Sequence, residues 1–252
     1  MQKIVFPEGE DDRIKQASIK IKEFADVILL TKGSIDERLE EAKNLLKNNK
    51  ADAVITGATH PTNKTIKLAL NFKKGLISSF FLIDINNKRF LFADCAVNPN
   101  PNAEQLAEIT LQTANSAKLF NITPRIAMLS YSTKGSAEGE IIEKIQKATE
   151  IVKKKTNLII DGELQVDSAL IPEVAKIKNS DIIKGDANIL IFPDLNSGNI
   201  SYKLIERFAN TKAIGPILQN LTKPINDLSR GCKIENIIEI AKITINQLSQ
   251  SL

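Results

Sequence analysis

The chain has 252 residues but only two cysteines and one histidine. Cys95 and Cys232 lie far apart and form no CxxC pair, which argues against a disulfide scaffold and a cysteine-based zinc site. One histidine, His60, cannot build a histidine-rich metal site, and it leaves a Ser-His-Asp triad a single possible base. No apolar run approaches the ~18 residues of a membrane helix. The opening Met1-Gln2-Lys3-Ile4-Val5-Phe6-Pro7-Glu8 turns acidic before a signal-peptide core could form. These absences lead us to expect a cytoplasmic protein with no membrane partner. Charge of one sign is also scarce: 34 Lys and Arg against 30 Asp and Glu leave a net charge of +4. A nucleic-acid binder concentrates its basic residues in one patch. The densest run here, Lys153-Lys154-Lys155, reads instead as the solvated end of a helix, so no nucleic-acid partner is expected.

Familiar signatures are missing too. There is no GxGxxG, no P-loop and no GxSxG elbow, since Gly135-Ser136-Ala137-Glu138-Gly139 has the wrong spacing. Dinucleotide binding, P-loop chemistry and lipase-type hydrolysis are demoted accordingly.

What is present is an ordinary globular composition, 42% apolar and 25% charged. At roughly 150 residues per domain, the length fits one large domain or two small ones. Short β-branched runs alternate with amphipathic stretches. Strands are expected at 3–6, 27–30, 53–55, 76–83, 89–93, 125–129, 158–160, 187–192 and 212–214. Helices are expected at 11–21, 34–47, 62–70, 103–119, 138–153, 199–208 and 233–248, with Ser34 and Asn102 as N-caps and Asn86-Asn87-Lys88 as a hairpin turn. This alternation predicts an α/β fold with mainly parallel sheets flanked by helices.

Ligands in such folds bind beyond the carboxyl ends of strands. Four polar junctions stand there. In Ser130-Tyr131-Ser132-Thr133-Lys134-Gly135-Ser136, hydroxyls and free backbone N–H groups would make an anion cradle; a plain polar loop with an N-cap serine is the alternative. Pro193-Asp194-Leu195-Asn196-Ser197-Gly198-Asn199 reads as a turn with a helix cap, or as part of a site. Asn226-Asp227-Leu228-Ser229-Arg230-Gly231-Cys232 carries an arginine that could clamp a phosphate or oxyanion, or simply lie on the surface. In Thr59-His60-Pro61-Thr62, the histidine either caps a turn or acts as an acid–base group. Spacing alone stops at an anionic ligand bound between helices and a parallel sheet.

A family resemblance goes further. The segments Phe6-Pro7-Glu8-Gly9-Glu10-Asp11-Asp12-Arg13, Ala93-Asp94-Cys95-Ala96-Val97-Asn98-Pro99-Asn100-Pro101, Ala103-Glu104-Gln105-Leu106-Ala107 and Ala127-Met128-Leu129-Ser130-Tyr131-Ser132-Thr133 are similar to those of phosphate acetyltransferases. So are Asp161-Gly162-Glu163-Leu164-Gln165, Phe192-Pro193-Asp194-Leu195-Asn196-Ser197-Gly198-Asn199, Gly215-Pro216-Ile217-Leu218-Gln219 and Lys223-Pro224-Ile225-Asn226-Asp227-Leu228-Ser229-Arg230-Gly231. The resemblance keeps its order and covers almost the whole chain from Lys50 onward. It implies exchange of an acetyl group between acetyl phosphate and coenzyme A. It also implies two α/β domains, 1–86 with 225–252 and 87–224, and an active-site cleft between them. A homodimer is implied as well, with CoA, acetyl-CoA and phosphate as substrates and no metal or cofactor.

Carried over position by position, the resemblance places Ser229, Arg230 and Asn236 in the catalytic set. Lys67, Ser132, Thr133, Gly135, Asn196, Gly198, Asn199 and Tyr202 fall among the substrate-binding positions. The chain departs from the family in three places. It is shorter between about Leu30 and Lys50, where the family has an Arg-Lys-x-Lys-Gly stretch. Lys67 stands where the family has a second arginine, and Asn236 where it has the aspartate proposed as base for the CoA thiol. Glu235 lies one residue away, about 100° round the helix. Two other readings stay open: a degenerate, non-catalytic binder of acetyl-CoA or acetyl phosphate that acts as a regulator, and a phosphate acyltransferase for longer chains such as butyryl.

Overall fold

A computed structural model describes residues 1–249. In chain order its elements are β1 (Lys3–Phe6), α1 (Asp12–Ile21), β2 (Asp26–Leu29), α2 (Ile35–Lys47), β3 (Ala53–Thr56), α3 (Thr62–Ala69), β4 (Lys73–Ile85) and β5 (Lys88–Ala93). They continue with α4 (Ala103–Ser116), β6 (Arg125–Leu129), α5 (Glu140–Lys155), β7 (Ile159–Leu164), α6 (Val166–Leu170), α7 (Pro172–Ile177) and β8 (Ile189–Ile191). The last are α8 (Leu195–Phe208), β9 (Ala213–Leu221), β10 (Ile225–Asp227) and α9 (Ile234–Ser249).

The chain divides into two compact units, Met1–Ile77 with Ile214 onward, and Ser78–Ala213. These divisions fall about ten residues before the boundaries expected from sequence, inside the long strand β4 and at the start of β9.

The first unit holds a four-stranded sheet in the order β10-β3-β1-β2, parallel throughout. Ile4, Val5 and Phe6 are fully buried in its centre. They form the continuous apolar run expected of a strand covered on both faces. α1 packs on α9; α1 buries Ile14, Ala17 and Ile21, and α9 buries Ile237, Ile240, Ala241 and Thr244, both at the helical period. The Ser34–Glu37 capping box starts α2.

The second sheet has the order β7-β6-β8-β5-β4-β9. β7, β6, β8 and β5 run parallel, and β4 is antiparallel to β5 across the Asn86–Asn87 turn. In the second unit Phe81, Ile83, Leu129, Leu190 and Phe192 share one core cluster, with Tyr202 and Ile205 packed against it.

The structure changes four expectations. α8 begins at Leu195, not Asn199, because Asp194 accepts the Ser197 N–H at 2.8 Å and caps the helix four residues early. β9 runs on to Leu221, well past Ile214. β10 is a strand of Ile, Asn and Asp that pairs with β3; its polar composition hides it from propensity. The short helices α6 and α7 are below the length at which a period can be read.

Candidate active site

The neighbouring strands β10, β3 and β1 end side by side, and a polar turn leaves each. After β1, Glu8 is 2% exposed, and its carboxylate is fully engaged. Oε2 accepts from Thr56 Oγ1 at 3.0 Å and the Gly57 N–H at 2.8 Å; Oε1 accepts from the Thr59 N–H at 2.6 Å and Thr59 Oγ1 at 2.8 Å. Glu8 therefore ties the end of β1 to the turn after β3. His60 closes that turn, with Nε2 2.8 Å from Thr56 Oγ1.

At the end of β10, Asp227 accepts from Thr62 Oγ1 at 2.7 Å and, at very close range, from Thr65 Oγ1, both on α3. Burial pushes its carboxyl up to about 6, against these two hydroxyls and the nearby His60, which pull it down. Gly57 takes φ +100, and a Cβ there would stand 2.2 Å from Asp227 Oδ1. Only glycine serves at that position, for lack of space and for backbone conformation.

Two residues on, Ser229 and Arg230 are exposed. The Arg230 guanidinium has no partner among the described residues. Its backbone, in contrast, is fixed by Arg13 on α1. Arg13 Nη1 donates to the carbonyls of Arg230 at 2.8 Å and Cys232 at 3.2 Å, and Nη2 to the carbonyl of Ala58 at 3.0 Å. Asp11 grips the same fork through both oxygens, at 3.0 and 2.7 Å, and Arg13 holds its carboxyl below the usual range. One guanidinium thus spans the turns after β3 and β10. Only a planar, five-donor group does this.

Asn236 caps α9: its Oδ1 accepts the Lys233 N–H at 3.1 Å. Lys67 is exposed and lines an open groove of about 310 Å3 with Asp36, Lys43, Lys64 and Asn71. It stands two residues from Thr65, about 200° round α3, so it does not face Asp227.

In the second unit, the turn after β6 is built differently from the expected cradle. Most of its backbone N–H groups are already engaged. Ser132 N–H donates to Ser130 Oγ, Thr133 N–H to Ser136 Oγ, Ala137 N–H to Ser132 Oγ and Ser136 N–H to the Thr133 carbonyl. Gly135 N–H donates to Glu163 Oε1 at 2.7 Å, and Ser132 Oγ to the same oxygen at 3.1 Å. Burial would raise the Glu163 carboxyl, but the Gly135 N–H, the Gln146 amide and Ser132 outweigh it and hold it below the usual range. Lys134 turns inward to the buried Asp161. Ser132 and Thr133 are themselves buried, while Gly135 is exposed with open space around its Cα. The turn is a carboxylate-centred knot that presents Tyr131, Gly135 and Ser136 outward.

α8 fastens to the turn after β5. A Cβ at Gly198 would lie 2.6 Å from the Asp94 carbonyl, and Asn199 Nδ2 donates to the Cys95 carbonyl at 3.0 Å. Tyr202 stacks on Phe81 with centroids 4.0 Å apart. Of the four α8 positions singled out from sequence, Asn196 alone is exposed. Sequence reasoning quoted Glu8, Arg13 and Asp227 within motifs but gave them no role. The signal available was their place beyond adjacent strand ends.

Comparisons with known proteins agree with this architecture. The family model described as phosphate acetyl/butaryl transferase matches residues 31–245. A phosphate acetyltransferase of Thermoanaerobacterium thermosaccharolyticum is 41% identical over 313 positions, covering 98% of this chain and 95% of that protein. The alignment is longer than the 252-residue chain, so at least 61 of its positions lie opposite gaps in it. A phosphate acetyltransferase of Buchnera aphidicola (from Schizaphis graminum) is 50% identical over 79% of the chain, which spans 29% of that longer protein. Among solved structures, a phosphotransacetylase from Streptococcus pyogenes superposes with a TM-score of 0.88 at 37% identity, covering 99% of this chain and 94% of the other.

Proposed function

The chain belongs to the phosphate acetyl/butaryl transferase family, and on that premise we propose that it exchanges an acetyl group between coenzyme A and phosphate. It is an acyl transferase. The CoA thiolate attacks the carbonyl carbon of acetyl phosphate. A C–S bond forms, the bond from that carbon to the phosphate oxygen breaks, and phosphate leaves with the electron pair. The reverse reaction makes acetyl phosphate.

The observation that carries this reading is the state of Arg230: backbone pinned by Arg13, guanidinium exposed and uncommitted. An always-charged fork carried on a fixed backbone, next to Ser229 in the chain, suits the developing oxyanion or the departing phosphate. Glu8, Asp227 and Arg13 hold the turns that carry it. Asn236 cannot take the thiol proton, so the thiolate is drawn from solution; with a thiol value near 8.5, several per cent is ionised near neutral pH. CoA, acetyl-CoA and phosphate are the substrates, and the reaction so written asks for no metal or cofactor. The family resemblance supports a homodimer in the cytoplasm. No helix among the described residues is long and apolar enough to cross a membrane.

One observation favours a second reading. Asn236 is used up as a helix cap, and this fits a chain that binds acetyl-CoA without turning it over. Purified protein given acetyl phosphate and CoA separates the two: thioester formation supports the transferase, and CoA binding without thioester supports the binder. Competition between acetyl-CoA and butyryl-CoA reads the acyl preference.

A further inference from the structure

Lys144 stands in the second turn of α5, and its side chain reaches two of the turns that leave the second sheet. Nζ donates to Asn100 Oδ1, after β5, at 3.0 Å and to the Pro193 carbonyl, after β8, at 2.9 Å. Both partners are neutral, and the nitrogen makes no ion pair among the described residues. Lys147, three residues on, is the ordinary case: it is 63% exposed, with Nζ 2.7 Å from Glu104 Oε1. The difference bears on reactivity. An ammonium carries three hydrogens; a neutral amine carries two, with a lone pair in the remaining direction. Two neutral acceptors match the two hydrogens of the amine, so Lys144 can give up a proton without giving up a hydrogen bond. Lys147 loses its ion pair when it does the same.

We propose that Lys144 is a modification site, acetylated on Nζ by acetyl phosphate, the acyl phosphate of the transfer reaction. Nζ attacks the carbonyl carbon of acetyl phosphate. A C–N bond forms, the bond from that carbon to the phosphate oxygen breaks, phosphate leaves with the electron pair, and the nitrogen's spare proton passes to water. The supply of acetyl phosphate rests on the transferase reading; the reactivity of the amine does not.

The surroundings favour the amine. Lys144 is half-buried, while Asn100 beside it is exposed, so the pair stands at the surface of the second unit. Burial draws the ammonium below its ordinary lysine value, against the pull of Asp194 at the start of α8. A partly desolvated lysine amine is a nucleophile. Acetylation removes the charge and leaves a single N–H. One of the two oxygens then loses its donor, so the change is felt in a turn that leaves the sheet.

The test uses the folded protein and acetyl phosphate without CoA, so it asks nothing of the transfer reaction. Acetylation at each lysine is followed in time by peptide mass spectrometry. Lys144 is expected to react several-fold faster than Lys147, although Lys147 is the more exposed of the two. In urea the two should react alike. A Lys144 rate at or below that of Lys147 in the folded protein would overturn the proposal, and so would a preference for Lys144 that persists in urea. Asn100→Asp reads the geometry. It sets a carboxylate beside Nζ in place of the amide, at an exposed position that tolerates the change. Acetylation of Lys144 should then slow several-fold, with Lys147 and the melting curve unaltered. An unchanged Lys144 rate in that variant would mean that the neutral partners are not the cause, and the proposal would fall.

Discussion

Arg13 Nη1 donates to the main-chain oxygen of Arg230 at 2.8 Å, so one arginine fixes the backbone of another and leaves its guanidinium exposed. Arg13→Ala removes that tie together with those to Ala58 and Cys232. A misplacement of about 1 Å at a reacting group costs about a hundredfold, and a loss of that order in kcat/KM is expected with the fold retained. Arg13→Lys restores charge but not the fork, so its kinetics should stay close to those of Arg13→Ala. Steady-state kinetics with a melting curve for each variant check both statements.

Asn236→Asp should raise turnover by up to about tenfold near neutral pH, by returning a carboxylate that takes the thiol proton. Its Oδ atoms can still cap Lys233, and a negative charge in the first turn of α9 favours the helix. Stability should hold or rise slightly. Initial rates across pH 6 to 8 read the gain.

Asp227 makes stability depend on pH. Its folded value of about 6 lies above the ordinary 3.8, so its contribution is fully present below about pH 4 and lost as pH rises through 6. The difference corresponds to about 3 kcal/mol. Asp227→Asn does not titrate, so the variant should gain on the wild type between pH 4 and pH 7. Urea unfolding at the two pH values measures it; an unchanged gap would contradict the assignment.

In the second unit, Glu163→Ala strips the acceptor from the Gly135 N–H, Ser132 and Gln146. Leaving the buried Ser132 hydroxyl without that acceptor costs about 1–3 kcal/mol. A lower unfolding midpoint is expected, with faster hydrogen exchange over residues 132–137.

Much of the fold was legible in the residues. Ser34 and Asn102 cap where expected, because each stands three residues before a Glu or Gln that completes a capping box. β10 was not legible, since Asn226 and Asp227 are poor strand formers and pair with β3 only through tertiary context. The Ser229–Arg230 turn, from its own chemistry, could be a clamp or a surface arginine, and only the family resemblance gave it a role. Arg13 as its support was not legible, because the two are 217 residues apart and meet only when β1, β3 and β10 align. In the Ser130–Ser136 segment the part played by Glu163 was hidden for the same kind of reason: 28 residues beyond Gly135 in the chain, it takes the Gly135 N–H.

The most direct test is thioester formation from acetyl phosphate and CoA by the wild type and by Arg230→Ala. Arg230 is exposed and its guanidinium makes no hydrogen bond or ion pair among the described residues, so the substitution should leave the melting curve in place. Losing one well-placed charge stabiliser costs ~10²–10³ in rate. The expected result is wild-type turnover that falls at least about a hundredfold in the folded variant. Equal rates in the two proteins would contradict the central claim that Arg230, held by Arg13, carries the transfer.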